Sequence, residues 1–309
     1  MTRVAAVDCG TNSIRLLVAD VDPVAGTLAD VERRMEIVRL GQGVDRTGRI
    51  APEALARTLD ATRRYAAVCE ATGVEAIRFV ATSASRDAEN RDEFVAGVRG
   101  LLGVEPEVVA GDEEARLSFA GATRELRGER DAPFLVVDLG GGSTEFVLGD
   151  AAPEAALSVD VGCVRLTERH LHTDPATPAE LAAALADVDA ALDRVAGVVP
   201  LQRARTLVGL AGTVTTVTAH ALGLPRYDPV AIHRSVLPAG RVRAACASLL
   251  AMSREERAAL PFMHPGRVDV IGAGALLWGR IVERAARPDV TASEHDILDG
   301  ICWSLAARV

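Results

Sequence analysis

The chain carries one alternation of apolar and polar positions twice. Val4 to Asp20 (VAAVDCGTNSIRLLVAD) and Phe134 to Asp150 (FLVVDLGGGSTEFVLGD) superimpose without a gap, placing Asp8 on Asp138, Gly10 on Gly140, Ser13 on Ser143 and Asp20 on Asp150. Each copy reads as an apolar strand, a sharp turn of Asp, Gly and hydroxyl residues, and a second apolar strand, which predicts a β-hairpin with a polar tip. A single Asp-x-Gly-x-x-Ser matches by chance; its duplication between the same flanking strands does not.

After the first hairpin, Val31 to Leu40 reads as a further strand, and a glycine-rich loop through Gly48 leads to a helix with Pro52 in its first turn. Leu55, Leu59, Ala66 and Cys69 give that helix one apolar face to about Ala71, Gly73 ends it, and Ala76 to Ala81 predicts the next strand. Asn90 is placed to cap a helix running to about Leu102, Val104 to Ala110 reads as a strand, and Gly111-Asp112-Glu113-Glu114 opens another helix. Gly128 to Pro133 is charged and turn-rich, as a linker would be, and the second hairpin begins directly after it. Thr177-Pro178-Ala179-Glu180 and Ser253-Arg254-Glu255-Glu256 are capping boxes, the first opening an alanine-rich helix to about Val195, and both helices are expected to coat the second sheet. Two more glycine turns, Gly209 to Thr213 and Gly272 to Gly274, follow strands and precede helices.

A length of 309 residues exceeds what one core usually supports, so two domains are expected. Aromatic residues make up only 3% of the chain, so the cores must be built from Ala, Val and Leu. The chain holds no lysine, so all 34 residues of the lysine and arginine total are arginine. That excludes a Walker-type P-loop, a protein kinase and a Schiff-base enzyme, each of which needs a lysine for its chemistry. A net charge of −9 argues against a general nucleic-acid binder. Five scattered cysteines, none in a C-x-x-C pair, favour neither a disulfide framework nor a zinc site and fit a reducing cytoplasm. No stretch reads as a signal peptide or a membrane span, so no membrane partner is expected. The six histidines, His170, His172, His220, His233, His264 and His295, form no close pair on a helix and read as ordinary polar residues.

The hairpin tips carry the chemistry. Each exposes clustered backbone N–H groups which, with the hydroxyls of Thr11, Ser13, Ser143 and Thr144, suit phosphate oxygens, while each aspartate is an oxygen ligand fitted to a hard cation. Two facing copies would grip a phosphate chain from both sides. The copies differ where Arg15 stands at the position of Glu145, so that one side would offer a cation to phosphate and the other would hold metal or water; a strand-end surface position for Arg15 fits the pattern equally.

Two such hairpins and a later strand-glycine-helix turn resemble the phosphate and nucleoside loops of the actin-like ATPase and sugar-kinase superfamily. Within it the chain is most similar to the exopolyphosphatase and guanosine pentaphosphate phosphatase (Ppx/GppA) family, through DCGTNSIR (Asp8 to Arg15), ATSASRDAEN (Ala81 to Asn90), GDEEARL (Gly111 to Leu117) and DLGGGSTE (Asp138 to Glu145). The resemblance implies an α/β fold of two ribonuclease-H-like domains, each a mixed sheet with flanking helices, around a central cleft. Residues 1–127 would form the first and 128–309 the second, with a C-terminal helix at about 296–309 packing back on the first. Because the chain stops at Val309, it resembles the short two-domain members.

Carried over residue by residue, the resemblance makes Glu114 the general base that activates water, although the first turn of a helix commonly carries such glutamates for its dipole alone. It assigns Asp8, Asp138 and Glu145 to Mg²⁺, Asp138 and Glu145 thereby counting as catalytic, and allows a monovalent cation such as K⁺ beside it. Gly10, Thr11, Asn12, Ser13, Arg15, Gly140, Gly141, Gly142, Ser143 and Thr144 would hold phosphoryl groups, as would Arg86, whose planar guanidinium can engage two oxygens. Gly212 and Thr213 lie in the segment matching the family's third glycine loop and Arg267 to Gly274 matches its last; both turns either face the ligand or permit tight packing of helix on strand. The implied activity is hydrolysis of terminal phosphate from inorganic polyphosphate, with guanosine pentaphosphate as the alternative substrate. A sugar or small-acid kinase and a non-enzymatic actin-like nucleotide switch remain as other classes. A homodimer is expected from the prevalence of symmetric pairs and from the resemblance.

Overall fold

The computed structural model describes residues 1–307. It resolves into two compact units, Met1–Gly121 together with the segment beginning at Ile297, and Ala122–Asp296. The boundary expected at 127/128 therefore falls six residues inside the second unit, and the charged segment 128–133 belongs to that unit.

The first unit contains β1 (Thr2–Cys9), β2 (Ser13–Asp22), β3 (Thr27–Ile37), α1 (Val44–Thr47), α2 (Pro52–Thr72), β4 (Ala76–Ala81), α3 (Ser83–Asp87), α4 (Arg91–Leu102), β5 (Glu107–Val108) and most of α5 (Gly111–Thr123). Its sheet has the order β3-β2-β1-β4-β5, antiparallel across β1, β2 and β3 and parallel from β1 through β4 to β5. The strand period of two sorts side chains to its faces. Ala5, Val7, Cys9, Ile14, Leu16 and Val18 pack with Tyr65 and Cys69 of α2 and Phe94 and Val98 of α4. Val4, Ala6, Leu17, Ala19 and Val21 pack on the opposite face with Leu117 of α5 and with Ile297, Leu298, Ile301 and Cys302. Those last residues belong to the C-terminal helix, Ile297–Ala306, which returns to the first sheet; residues 308 and 309 of the expected helix lie outside the described residues. Gly300 makes that return possible, because a Cβ there would lie 2.0 Å from the Leu117 carbonyl oxygen.

Several local expectations need correction. The strand expected over Val104 to Ala110 shrinks to Glu107–Val108 at the sheet edge. β3 begins at Thr27 and ends at Ile37, while Val38 and Arg39 donate their N–H groups to Asn12 O at the hairpin tip. The α4 helix forms as expected, but Asn90 makes no side-chain cap; its amide instead binds Ile50 N and O at 2.8 and 3.1 Å. An amide can bridge both groups of one peptide, and this pairing displaces capping.

The second unit continues with β6 (Phe134–Leu139), β7 (Thr144–Gly149), β8 (Pro153–Val159), α6 (Cys163–His170), α7 (Pro178–Val198), β9 (Thr206–Leu210), α8 (Ala211–Leu222), α9 (Pro229–Ile232), β10 (Val236–Pro238), α10 (Ala239–Ala251), α11 (Arg254–Ala258), α12 (Ile271–Ala285) and β11 (Asp289–Ala292), so the C-terminal helix is α13. Its sheet order is β10-β11-β9-β6-β7-β8, repeating with β8-β7-β6-β9-β11 the order of the first sheet. Both sheets are thus mixed, with antiparallel meanders joined to parallel strands, the arrangement of a ribonuclease-H-like fold. Every residue of β6 and β7 is buried, as strands covered on both faces must be. Both predicted capping boxes form. The helix after Thr177 packs Val188, Leu192 and Val195 into the core, but α11 is a five-residue helix with no buried residue and does not coat the sheet.

Candidate active-site loops and acids

The two hairpins share their tip geometry. Gly10 N donates to Ser13 O at 2.9 Å and Gly140 N to Ser143 O at 3.1 Å, so each tip is the same tight turn. Strand register places Asp8 opposite Arg15 and Asp138 opposite Glu145. Directly opposed residues of an antiparallel pair point to the same face with Cβ atoms about 5 Å apart. In the first hairpin the pair is an ion pair: Arg15 Nη2 and Nε donate to Asp8 Oδ2 at 2.6 and 3.0 Å. Of the two readings of Arg15, the surface one does not hold, since its side chain is only 19% exposed. In the second hairpin both members are acids and both are buried, Asp138 at 7% and Glu145 at 1% exposure. Two neighbouring carboxylates withdrawn from water disfavour joint ionisation unless donors or a cation compensate. The donor set, two buried carboxylates side by side at a glycine turn, fits a hard divalent ion such as Mg²⁺. Asp8, already bonded to Arg15, fits that role less well.

The tip hydroxyls have protein partners. Thr11 Oγ1 lies 2.8 Å from Ser83 Oγ, and Thr144 Oγ1 donates to Val161 O at 2.6 Å. Thr144, expected on phosphate, therefore spends its proton on the backbone. Asn12 contributes its carbonyl to Val38 and Arg39, while Ser13 and Ser143 close the turns through their own carbonyls. The Gly140-Gly141-Gly142 turn is held from behind by the first turn of α6: Cys163 N donates to Gly140 O, and Val164 N and Arg165 N donate to Gly141 O. Gly162, which sequence reasoning passed over, permits this docking, because a Cβ there would lie 2.5 Å from the Gly141 carbonyl group.

The two glutamates opening α5 are separated by their partners. Glu113 pairs with buried Arg78 at 3.1 Å, and Arg78 also binds Glu107 and Ser304. Glu114 is buried, 7% exposed, and accepts from Arg86 Nη1 at 3.2 Å. Arg86 Nη1 also donates to Val109 O at 2.8 Å, so this arginine, expected on phosphate, anchors the start of α5 and orients Glu114. Asp8, Arg15 and Leu117 of α5 lie on the same face of the first sheet, the even positions of β1 and odd positions of β2.

At the third glycine loop, the Arg267 guanidinium lies against Gly212 and Nη1 donates to Thr216 Oγ1 at 3.3 Å. Thr213, in the first turn of α8, packs on Gly274, which also lies against Cys163 of α6; Gly272 to Gly274 fall inside α12 and follow no strand, unlike the strand-to-helix turn expected there. Ala211, at the junction of β9 and α8, has φ of 68°, a left-handed conformation costly for an L-residue. Ala211→Gly is expected to raise stability by about 0.5–1 kcal/mol, measured as a higher midpoint in urea at unchanged slope.

The histidines are less ordinary than the sequence implies. His233 Nε2 and His295 Nδ1 lie 3.1 and 3.3 Å from Glu125 Oε2, with the two rings 4.3 Å apart. His233 Nδ1 accepts the Glu294 N–H at 3.1 Å, so in the neutral ring Nε2 carries the proton and donates to Glu125. A metal at Nε2 would have to displace that proton, so the His233 geometry is that of a hydrogen bond to Glu125. Burial lowers the pKa of His220, His233 and His264, the His295 ring adding to the effect at His233 and Arg267 at His264. Below about pH 6.5 the unfolded chain binds protons that these folded histidines resist, so the stability they contribute is full above that pH and is lost as pH falls. The thermal midpoint should therefore drop between about pH 7 and 5, and His233→Asn should flatten the drop; an unchanged slope in calorimetry would contradict this.

Comparison with known proteins gives these loops a family. The model of the Ppx/GppA phosphatase family matches residues 17–308. Exopolyphosphatase 2 of Mycobacterium tuberculosis is 53% identical over 317 aligned residues covering 99% of each chain. A crystal structure of an exopolyphosphatase-like protein superimposes with a TM-score of 0.95 at 44% identity, covering 99% of each chain. The Aquifex aeolicus member of the Ppx/GppA family superimposes with a TM-score of 0.83 at 29% identity, covering 99% of this chain and 98% of that one. The chain described here belongs to the Ppx/GppA phosphatase family.

Proposed function

We propose that the chain is an exopolyphosphatase, releasing terminal phosphate from inorganic polyphosphate with Mg²⁺ as cofactor. The observation that carries the reading is the second hairpin, where Asp138 and Glu145 are buried side by side on a glycine turn braced by α6. The turns Gly10–Ser13 and Gly140–Ser143 would bind phosphoryl oxygens through backbone N–H groups and the Ser13 and Ser143 hydroxyls. Arg86 would hold the Glu114 carboxylate towards the attacking water with Nη1 and meet phosphate with the rest of its guanidinium. Glu114 accepts a proton from water as the water oxygen bonds to the terminal phosphorus. The bridging P–O bond breaks, and its electron pair leaves on the shortened chain. Mg²⁺, held by Asp138 and Glu145, would neutralise charge developing on the departing oxygen.

Guanosine pentaphosphate offers the same terminal anhydride and is the second reading, since the family name covers both activities. Phosphate release from polyphosphates of several lengths, guanosine pentaphosphate and ATP, each with and without Mg²⁺, tests the proposal. Polyphosphate is expected to be cleaved fastest, and only with the ion; preference for the nucleotide would replace the first reading with the second. Five buried free thiols fit a reducing cytoplasm, and a homodimer is the assembly we expect. No helix among the described residues is long and apolar enough to cross a membrane.

A further inference from the structure

Ser158 lies on β8, outside the duplicated segments, yet its register partner on β7 is Glu145. Its hydroxyl donates to Glu145 Oε1 at 2.7 Å. Asp138, Glu145 and Ser158 thus form one row across β6, β7 and β8 on a single face of the sheet. The internal duplication supplies a control. In the first sheet the equivalent row is Asp8, Arg15 and Met35 across β1, β2 and β3. Where the middle residue is the acid, the third strand presents a hydroxyl donor; where it is an arginine, the third strand presents a thioether, which cannot donate.

We propose that Ser158 is a positioning residue for the metal-binding acids, resting on the assignment of Asp138 and Glu145 to the divalent ion. Glu145 is 1% exposed, and an acid so buried keeps its charge only through donors or cations. The Ser158 hydroxyl supplies a donor to Oε1 and fixes the carboxylate rotation. Hydrogen bonds from a neighbour to a metal-ligating carboxylate commonly change metal affinity by about 10- to 100-fold.

The test is titration of the protein with Mn²⁺, followed by electron paramagnetic resonance of the free ion, for wild type, Ser158→Ala, Ser158→Thr and Glu145→Gln. Ser158→Ala is expected to weaken Mn²⁺ binding about tenfold and Ser158→Thr, which keeps the hydroxyl, to restore it to within about twofold. If Ser158→Ala does not fold, Ser158→Cys gives the same comparison, because its thiol is a weaker donor of similar size. Affinity in the Ala or Cys variant equal to wild type overturns the inference, provided Glu145→Gln has lost binding. Should Glu145→Gln bind Mn²⁺ as wild type does, the assignment of Glu145 to the ion fails, and Ser158 falls with it.

Discussion

Glu114→Gln is expected to lower the turnover of polyphosphate by about 10²- to 10⁴-fold, the range a positioned general base contributes. The change is isosteric and the Gln side-chain oxygen can still accept from Arg86 Nη1, so α5 should stay in place while the group that takes the proton is lost. KM should move little, because the amide alters charge at the reacting water more than contacts to the chain. Glu113→Gln is the matched control. Glu113 is spent on Arg78, which also holds Glu107, and its loss should cost less than about threefold in turnover. Steady-state phosphate release decides the matter: near-wild-type turnover in Glu114→Gln would remove this residue from the role of base.

Asp138→Asn is expected to have the next largest effect. A bound divalent ion supplies several kcal/mol of charge stabilisation in phosphoryl transfer, so loss of one of its two buried carboxylates should reduce turnover about 10³-fold at ordinary Mg²⁺. Because Asn keeps the shape and an oxygen ligand, raising the Mg²⁺ concentration should recover part of the activity. Asp8→Asn should differ. Its carboxylate is engaged by Arg15 at 2.6 Å, so the neutral amide would loosen that arginine and raise KM for polyphosphate more than it changes the Mg²⁺ requirement. Initial rates over a grid of Mg²⁺ and polyphosphate separate the two patterns. Equal Mg²⁺ dependence in Asp138→Asn and wild type would contradict the assignment.

The hairpins were legible because two signals agreed: strand alternation with period two, and its recurrence with aspartate, glycine and serine at matching positions. Helix limits fell close to observation where glycine and capping boxes punctuate the chain, as at Gly73 and Thr177. The partner of each functional side chain was not legible, because partners are set by register and by long-range packing. Glu113 and Glu114 look alike in sequence, but Glu113 faces Arg78 while the more buried Glu114 faces Arg86. Thr144 sits on the motif, but its proton goes to Val161, on a turn with no pattern of its own. Ser158 and Gly162 became visible only when β8 and α6 were placed beside the second hairpin. The cluster of Glu125, His233 and His295 joins residues more than 60 positions apart, a separation at which spacing carries no information.

The account stands on each hairpin tip binding polyphosphate when the ion is present. Amide hydrogen exchange of the Glu114→Gln protein, resolved to peptides covering Gly10–Ser13 and Gly140–Ser143, measures this directly. With polyphosphate and Mg²⁺ together, both tips should slow by about tenfold or more, and with either component alone they should exchange as in the free protein. Protection at one tip only, or at neither while polyphosphate is bound, would contradict it.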